Sequence, residues 1–182
     1  MFNVGMKVNG PSSGNNNKVG KATSGKVYQS ARNSLRLLHP YMVGNAEGQF
    51  LRSLGTLVSV KATSEQTGGA FNLFEVTCPA GYATPLHIHY AEDVAIYVLE
   101  GRMSFFWGNE KKEAVPGSYF YQPRGTPHGF RVEGGKPARI LYMTIPAGFD
   151  RFVLEQDCLA QKNEVETEVA RYKIEILGPL PE

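Results

Sequence analysis

From Leu57 to Ile145 the chain runs in short blocks where apolar and polar residues alternate, separated by glycine, proline and asparagine. A period of two marks a strand with one buried face, and turn residues between blocks mark its ends. The pattern predicts strands over 57–62, 71–77, 94–100, 102–107, 112–115, 118–122, 130–133 and 139–145. Gly108-Asn109 suits a hairpin turn, and Gly134-Gly135-Lys136-Pro137 a longer one. Many short strands joined in this way define an all-β sandwich or barrel.

The pattern changes at both ends. Residues 9–25 are rich in Gly, Ser, Asn and Lys and cannot bury enough apolar surface to offset their ordering entropy. Residues 1–33 are therefore expected to form a flexible polar tail, and 34–182 a single domain with its barrel over about 50–146. Leu35, Leu37 and Leu38 reopen the apolar pattern, and His39-Pro40 breaks it, leaving His39 in a loop. After Pro146 the spacing becomes helical at Phe149, Phe152 and Val153. Asn163 with Glu166 matches a capping box, and Val165, Val169 and Tyr172 share one helical face before the break at Gly178-Pro179. Residues 147–182 are thus predicted to be a helical extension, two short helices packed outside the barrel.

Composition narrows the function classes. A chain of 182 residues that is 42% hydrophobic suits one globular domain. A net charge of +2 gives no footprint for nucleic acid. Cys78 and Cys158 make no disulfide framework and read as free thiols. No apolar run reaches membrane length and no signal-peptide core is evident, so a cytoplasmic protein without membrane partners is expected.

The candidate chemistry lies in two stretches. In Pro85-Leu86-His87-Ile88-His89, strand alternation turns both imidazoles to the same face. Imidazole is the commonest protein ligand for a transition metal. In Pro123-Arg124-Gly125-Thr126-Pro127-His128, a turn delivers a third histidine to the start of a strand.

Together these stretches resemble the paired motifs of the cupin superfamily, G-x5-H-x-H-x(3,4)-E-x6-G and G-x5-P-x-G-x2-H-x3-N. Gly81, His87, His89 and Gly101 match the first, and Gly117, Pro123, Gly125 and His128 the second. The resemblance implies a double-stranded β-helix, a small jelly-roll barrel. It also implies a divalent transition metal (Fe, Ni, Mn, Cu or Zn) held inside the barrel by His87, His89 and His128. The chain is similar, more narrowly, to single-domain quercetin-dioxygenase-like cupins. That similarity runs from about residue 40 to the C-terminus, through Tyr97–Gly101, Pro123–His128, Pro146–Phe152 and Tyr172–Pro179.

Two positions depart from the motif. Val94 stands where the glutamate ligand belongs, and Val132 where the final asparagine belongs. Val94 is expected to face the lumen beside the histidines. Asp93 satisfies the shorter spacing as a substitute ligand, but alternation places it on the opposite face from residue 94. Glu92 and Asp93 both read as turn residues. In quercetinase-like enzymes the missing glutamate is also implied to take the substrate's hydroxyl proton. Two functions follow: a metal-dependent dioxygenase acting on a small aromatic or planar substrate, or a non-oxidative or metal-free small-molecule-binding cupin. Phe105, Trp107, Tyr119 and Tyr121 are candidate walls for a planar ligand, or ordinary core. A homodimer is expected, with residues around Leu35–Leu38 covering a sheet edge.

Overall fold

The structure, a computed structural model, describes residues 38–45, 47–159 and 169–182. The expected tail, Leu35 and Leu37, and the Asn163–Glu166 capping box lie outside these residues. Within them the chain forms strands β1 (Gln49–Ser53), β2 (Thr56–Ala62), β3 (Asn72–Cys78), β4 (Leu86–His89), β5 (Asp93–Glu100) and β6 (Arg102–Trp107). These are followed by β7 (Glu110–Ala114), β8 (Tyr119–Gln122), β9 (His128–Glu133), β10 (Ala138–Ile145), helix α1 (Phe149–Leu159) and β11 (Ile174–Gly178).

The strands make two antiparallel sheets, of six strands in the order β1-β2-β3-β10-β5-β8 and five in the order β11-β4-β9-β6-β7. This is the predicted all-β jelly-roll. Alternation along β5 buries Val94, Ile96 and Val98 and leaves Tyr97 exposed. The turn from β5 into β6 requires Gly101, which has φ +85°; a Cβ there would meet the Ala138 Cα at 2.7 Å.

The apolar interior has two parts. One gathers Val94, Ile96, Val98, Met103, Phe105, Phe130, Val132 and Ile140. The other gathers Leu51, Val58, Val60, Phe74, Phe152, Val153, Val169 and Ile174. Each large side chain buried here contributes roughly 1.5–3 kcal/mol.

The C-terminal region departs from expectation twice. First, α1 does not lie outside the barrel; Phe152 and Val153 complete the second apolar cluster, and the Phe149 ring meets those of Phe74 and Tyr142. A polar network pins the start of this helix. Asn72 Oδ1 accepts hydrogen bonds from the backbone N–H of Gly148 (2.8 Å) and Asp150 (3.2 Å) and from Thr144 Oγ1 (3.3 Å). The Asp150 carboxylate accepts from the Ser64 N–H at 2.7 Å and the Ser64 hydroxyl at 2.5 Å. Second, 174–178 is a strand, where helix was expected. Residues 169–171 are helical, and Lys173, with φ +57°, ends that segment. β11 then pairs with β4, setting Ile174 opposite His89 and Ile176 opposite His87.

Candidate metal centre

His87 and His89 share one face of β4, and His128 opens β9. Their sheet register places His128 directly opposite His87. One potential ligand nitrogen from each lies within 4.8 Å of the others. Ring centroids are 4.4 Å apart for His87–His128, 5.2 Å for His87–His89 and 5.6 Å for His89–His128. The loop before His128 is tied to β4: Gly125, at φ +78°, donates its N–H to the His89 carbonyl at 2.7 Å.

Local hydrogen bonds fix two of the rings. His87 Nδ1 lies 2.8 Å from the Pro85 carbonyl, and His128 Nδ1 3.0 Å from the Thr126 carbonyl. A carbonyl can only accept, so both rings carry the proton on Nδ1 and leave Nε2 with a free lone pair. Outer hydrogen bonds to histidine ligands commonly set ring orientation in this way. The donor set therefore fits a divalent transition metal, with three neutral imidazoles and no anionic ligand among the clustered groups.

Burial pushes the His87 imidazole down to about 4, helped by the neighbouring His89. Burial likewise pushes His128 down to about 3, with His87 adding to it. At neutral pH the lone pairs are therefore not taken up by protons. The same shifts make the metal-free fold acid-sensitive. Between the unfolded value near 6.5 and the folded values, the unfolded chain binds protons that the folded chain does not. This contribution is complete above about pH 6.5 and is lost as pH falls towards 4 and 3, at up to ~1.4 kcal/mol per pH unit for each histidine. Denaturant unfolding of metal-free protein should give lower stability at pH 5 than at pH 7.5. Replacing both histidines by glutamine should flatten that dependence, and an unchanged slope would contradict the assignment.

Asp93 is not a ligand, as strand alternation implied, but it begins β5 rather than forming a turn. Its carboxylate accepts from Arg124 Nε (2.9 Å), the Arg124 N–H (3.0 Å) and the Tyr121 hydroxyl (3.1 Å). The Arg124 hydrogen bonds hold this carboxyl down at about 2. Tyr119 and Tyr121 are exposed and lie outside the cavity lined by His87 and His89; strand pairing sets Tyr119 opposite the exposed Tyr97 and Tyr121 opposite Ala95. Phe105 and Trp107 pack on the Phe120 ring as core. Glu92 lies in the turn between β4 and β5, as expected, yet it is 5% accessible, with its Oε2 3.6 Å from His89 Nδ1.

Val94 does face inward, fully buried in the first apolar cluster, where it pairs with Gln122 and Thr144. The cavity beside the site lies elsewhere. About 320 Å³ in volume, it is bounded by His87 and His89 and walled by Phe74, Tyr142, Phe149 and Phe152, with Tyr82 also on its lining. The Phe149 ring sits 5.4 Å from that of His89. Burial raises the Tyr82 and Tyr142 phenols well above their ordinary value, so both stay protonated. Cys78 is buried, and its thiol, pushed up to about 12, is unreactive. His39 is in an exposed loop, as expected. Among the described residues no helix is long and apolar enough to cross a membrane.

An antiparallel jelly-roll with three histidines converging from adjacent strands of one sheet defines a class of small metal-site-bearing barrels. The cupin domain family matches residues 74–144, a segment that contains all three histidines. Residues 74–144 thus carry a cupin domain. It is 28% identical over 103 residues to quercetin 2,3-dioxygenase of Bacillus subtilis, covering 57% of this chain and 31% of that protein. It is 39% identical over 75 residues to an uncharacterized protein of Methanocaldococcus jannaschii, covering 41% of this chain and 60% of that one. The chain thus spans about a third and three fifths of these two curated relatives. The polyketide cyclase RemF from Streptomyces resistomycificus superposes with a TM-score of 0.53 at 25% identity, covering 59% of this chain and 80% of that structure.

Proposed function

We propose that this cupin binds a divalent transition metal through His87, His89 and His128 and acts as a quercetinase-like dioxygenase on a small planar aromatic substrate. The observation that carries this reading is the meeting of two features. His87, whose Nε2 is free, and His89 line an apolar, aromatic-walled cavity of about 320 Å³, and His128 completes the cluster beside them. Similarity to the Bacillus enzyme supports the reaction class.

A bound metal would supply Lewis-acid or redox chemistry at its open coordination positions. The chain's own residues do the rest. Phe74, Phe149 and Phe152 bind a flat apolar body and exclude water. Tyr82 and Tyr142, protonated, can donate hydrogen bonds to a substrate oxygen. With valine at 94, no carboxylate lines the cavity to take a hydroxyl proton. Substrates that ionise readily should therefore react best.

The test uses protein purified without added metal or an affinity tag. Metal content is measured by mass spectrometry, and oxygen consumption is followed with a flavonol. Uptake of a divalent metal with metal-dependent oxygen consumption is expected. Uptake without oxygen consumption would favour a non-oxidative cupin. Val94 and the likeness to a polyketide cyclase support that second reading. No uptake after reconstitution would overturn the metal centre.

Restoring the missing carboxylate makes a further test. Val94→Glu places a charge in a fully buried apolar cluster, so the metal-free variant should unfold well below wild type. Added metal should recover most of that loss and raise occupancy above wild type. Failure of rescue would place residue 94 out of reach of the centre.

A further inference from the structure

Among the three histidines, His89 is the exception. His87 and His128 each have Nδ1 bound to the carbonyl two residues earlier. His89 Nδ1 has no hydrogen-bond partner, though the residue is only 3% accessible. The group facing it is Glu92 Oε2, likewise buried and without a partner. Two unpaired buried polar atoms 3.6 Å apart are about half an ångström short of a hydrogen bond. Leaving each unpaired is costly, and a hydrogen bond between them would satisfy both.

Glu92 is held where it can serve this purpose. Asp93 is committed to Arg124, which leaves the adjacent carboxylate as the one directed inward. Its other oxygen, Oε1, lies against Gly148, where a Cβ would come within 3.3 Å. Gly148 immediately precedes α1, so the start of that helix lies beside the carboxylate and helps to hold it in place.

We propose that Glu92 is a positioning residue for the metal centre, accepting the His89 Nδ1–H when Nε2 is engaged and supplying the negative charge that valine at 94 removes. A carboxylate behind a histidine ligand fixes the ring's tautomer and raises its basicity. Here it offsets part of a divalent charge that three neutral imidazoles leave uncompensated. The inference rests on the metal-binding reading above.

Zinc titrated against a chromophoric chelator tests it, using wild type, Glu92→Gln and Glu92→Ala, with Asp93→Asn as the neighbouring control. Zinc affinity should fall about tenfold in Glu92→Gln and up to about a hundredfold in Glu92→Ala. Asp93→Asn should stay near wild type. In the zinc-loaded wild type, proton NMR should show a strongly downfield, slowly exchanging His89 Nδ1–H, displaced in Glu92→Gln. Thermal unfolding of the metal-free proteins separates a merely structural role. The isosteric Glu92→Gln should fold and lose little stability, because it removes an unpaired buried charge. Wild type that binds zinc with Glu92→Gln unchanged in affinity and spectrum overturns this inference alone. Wild type that takes up no metal overturns it together with the metal-binding reading.

Discussion

Replacing His128 by alanine is expected to reduce metal affinity by more than about a hundredfold, beyond what loss of an outer-sphere group costs. The reason is geometric. His87 and His89 come from one strand, and only His128, paired opposite His87, supplies a donor from the neighbouring strand. Two imidazoles alone leave a divalent ion with neither a third protein ligand nor any anionic one. The fold should survive, because the Gly125–His89 hydrogen bond that ties the loop to β4 uses backbone atoms only. His39→Ala is the matching control, since His39 lies in an exposed loop. Metal content by mass spectrometry, with circular dichroism to confirm folding, reads the outcome. A folded His128→Ala protein that loads like wild type would show that the three-histidine cluster is not the metal site.

Phe152→Ala should cost about 3–5 kcal/mol of stability, the usual range for a fully buried phenylalanine. Phe152 is 1% accessible and packs on Phe149 and Tyr172, at ring-centroid distances of 5.2 Å and 5.3 Å. It lines the cavity as well, so its removal enlarges a space that is already partly empty and gives the surroundings little cause to collapse. A fall in melting temperature of roughly 10 °C is expected for a domain of this size. Folded Phe152→Ala protein should retain metal, because all three histidines sit on strands that α1 does not supply. Urea unfolding gives the free energy directly. A loss below 1 kcal/mol would mean that α1 does not seal the interior.

The barrel and its histidines were legible because both rest on short-range rules. Alternation along β2, β3, β5, β6 and β10 reports which face is buried. His87 and His89 must share a face because they are two residues apart on β4. The two glycine-anchored motifs then place His128 by resemblance. β11 was missed although Ile174-Glu175-Ile176-Leu177 carries an alternating signal, because it follows a segment of helical spacing.

The residues around the site were hidden for a different reason. Odd numbering grouped Phe105, Trp107, Tyr119 and Tyr121 together, yet the face a side chain takes depends on register between strands, which no single strand's sequence encodes. Glu92 and Asp93 are adjacent acids with no local difference between them. The position of Arg124 on a distant loop draws Asp93 outward, and the turn after β4 carries Glu92 in behind His89. Likewise the aromatic wall joins Phe74 of β3, Tyr142 of β10 and Phe149 and Phe152 of α1, three elements far apart in sequence. By itself the sequence determined the sheet-forming pattern and the shared face of His87 and His89, since each follows from spacing along one stretch, while the motif resemblance implied that Val94 stands in the place of an anionic ligand. Only the tertiary structure decided which carboxylate backs a histidine and which aromatics enclose the cavity. Those depend on long-range pairing and packing, where side chains from separate elements compete for the same buried space.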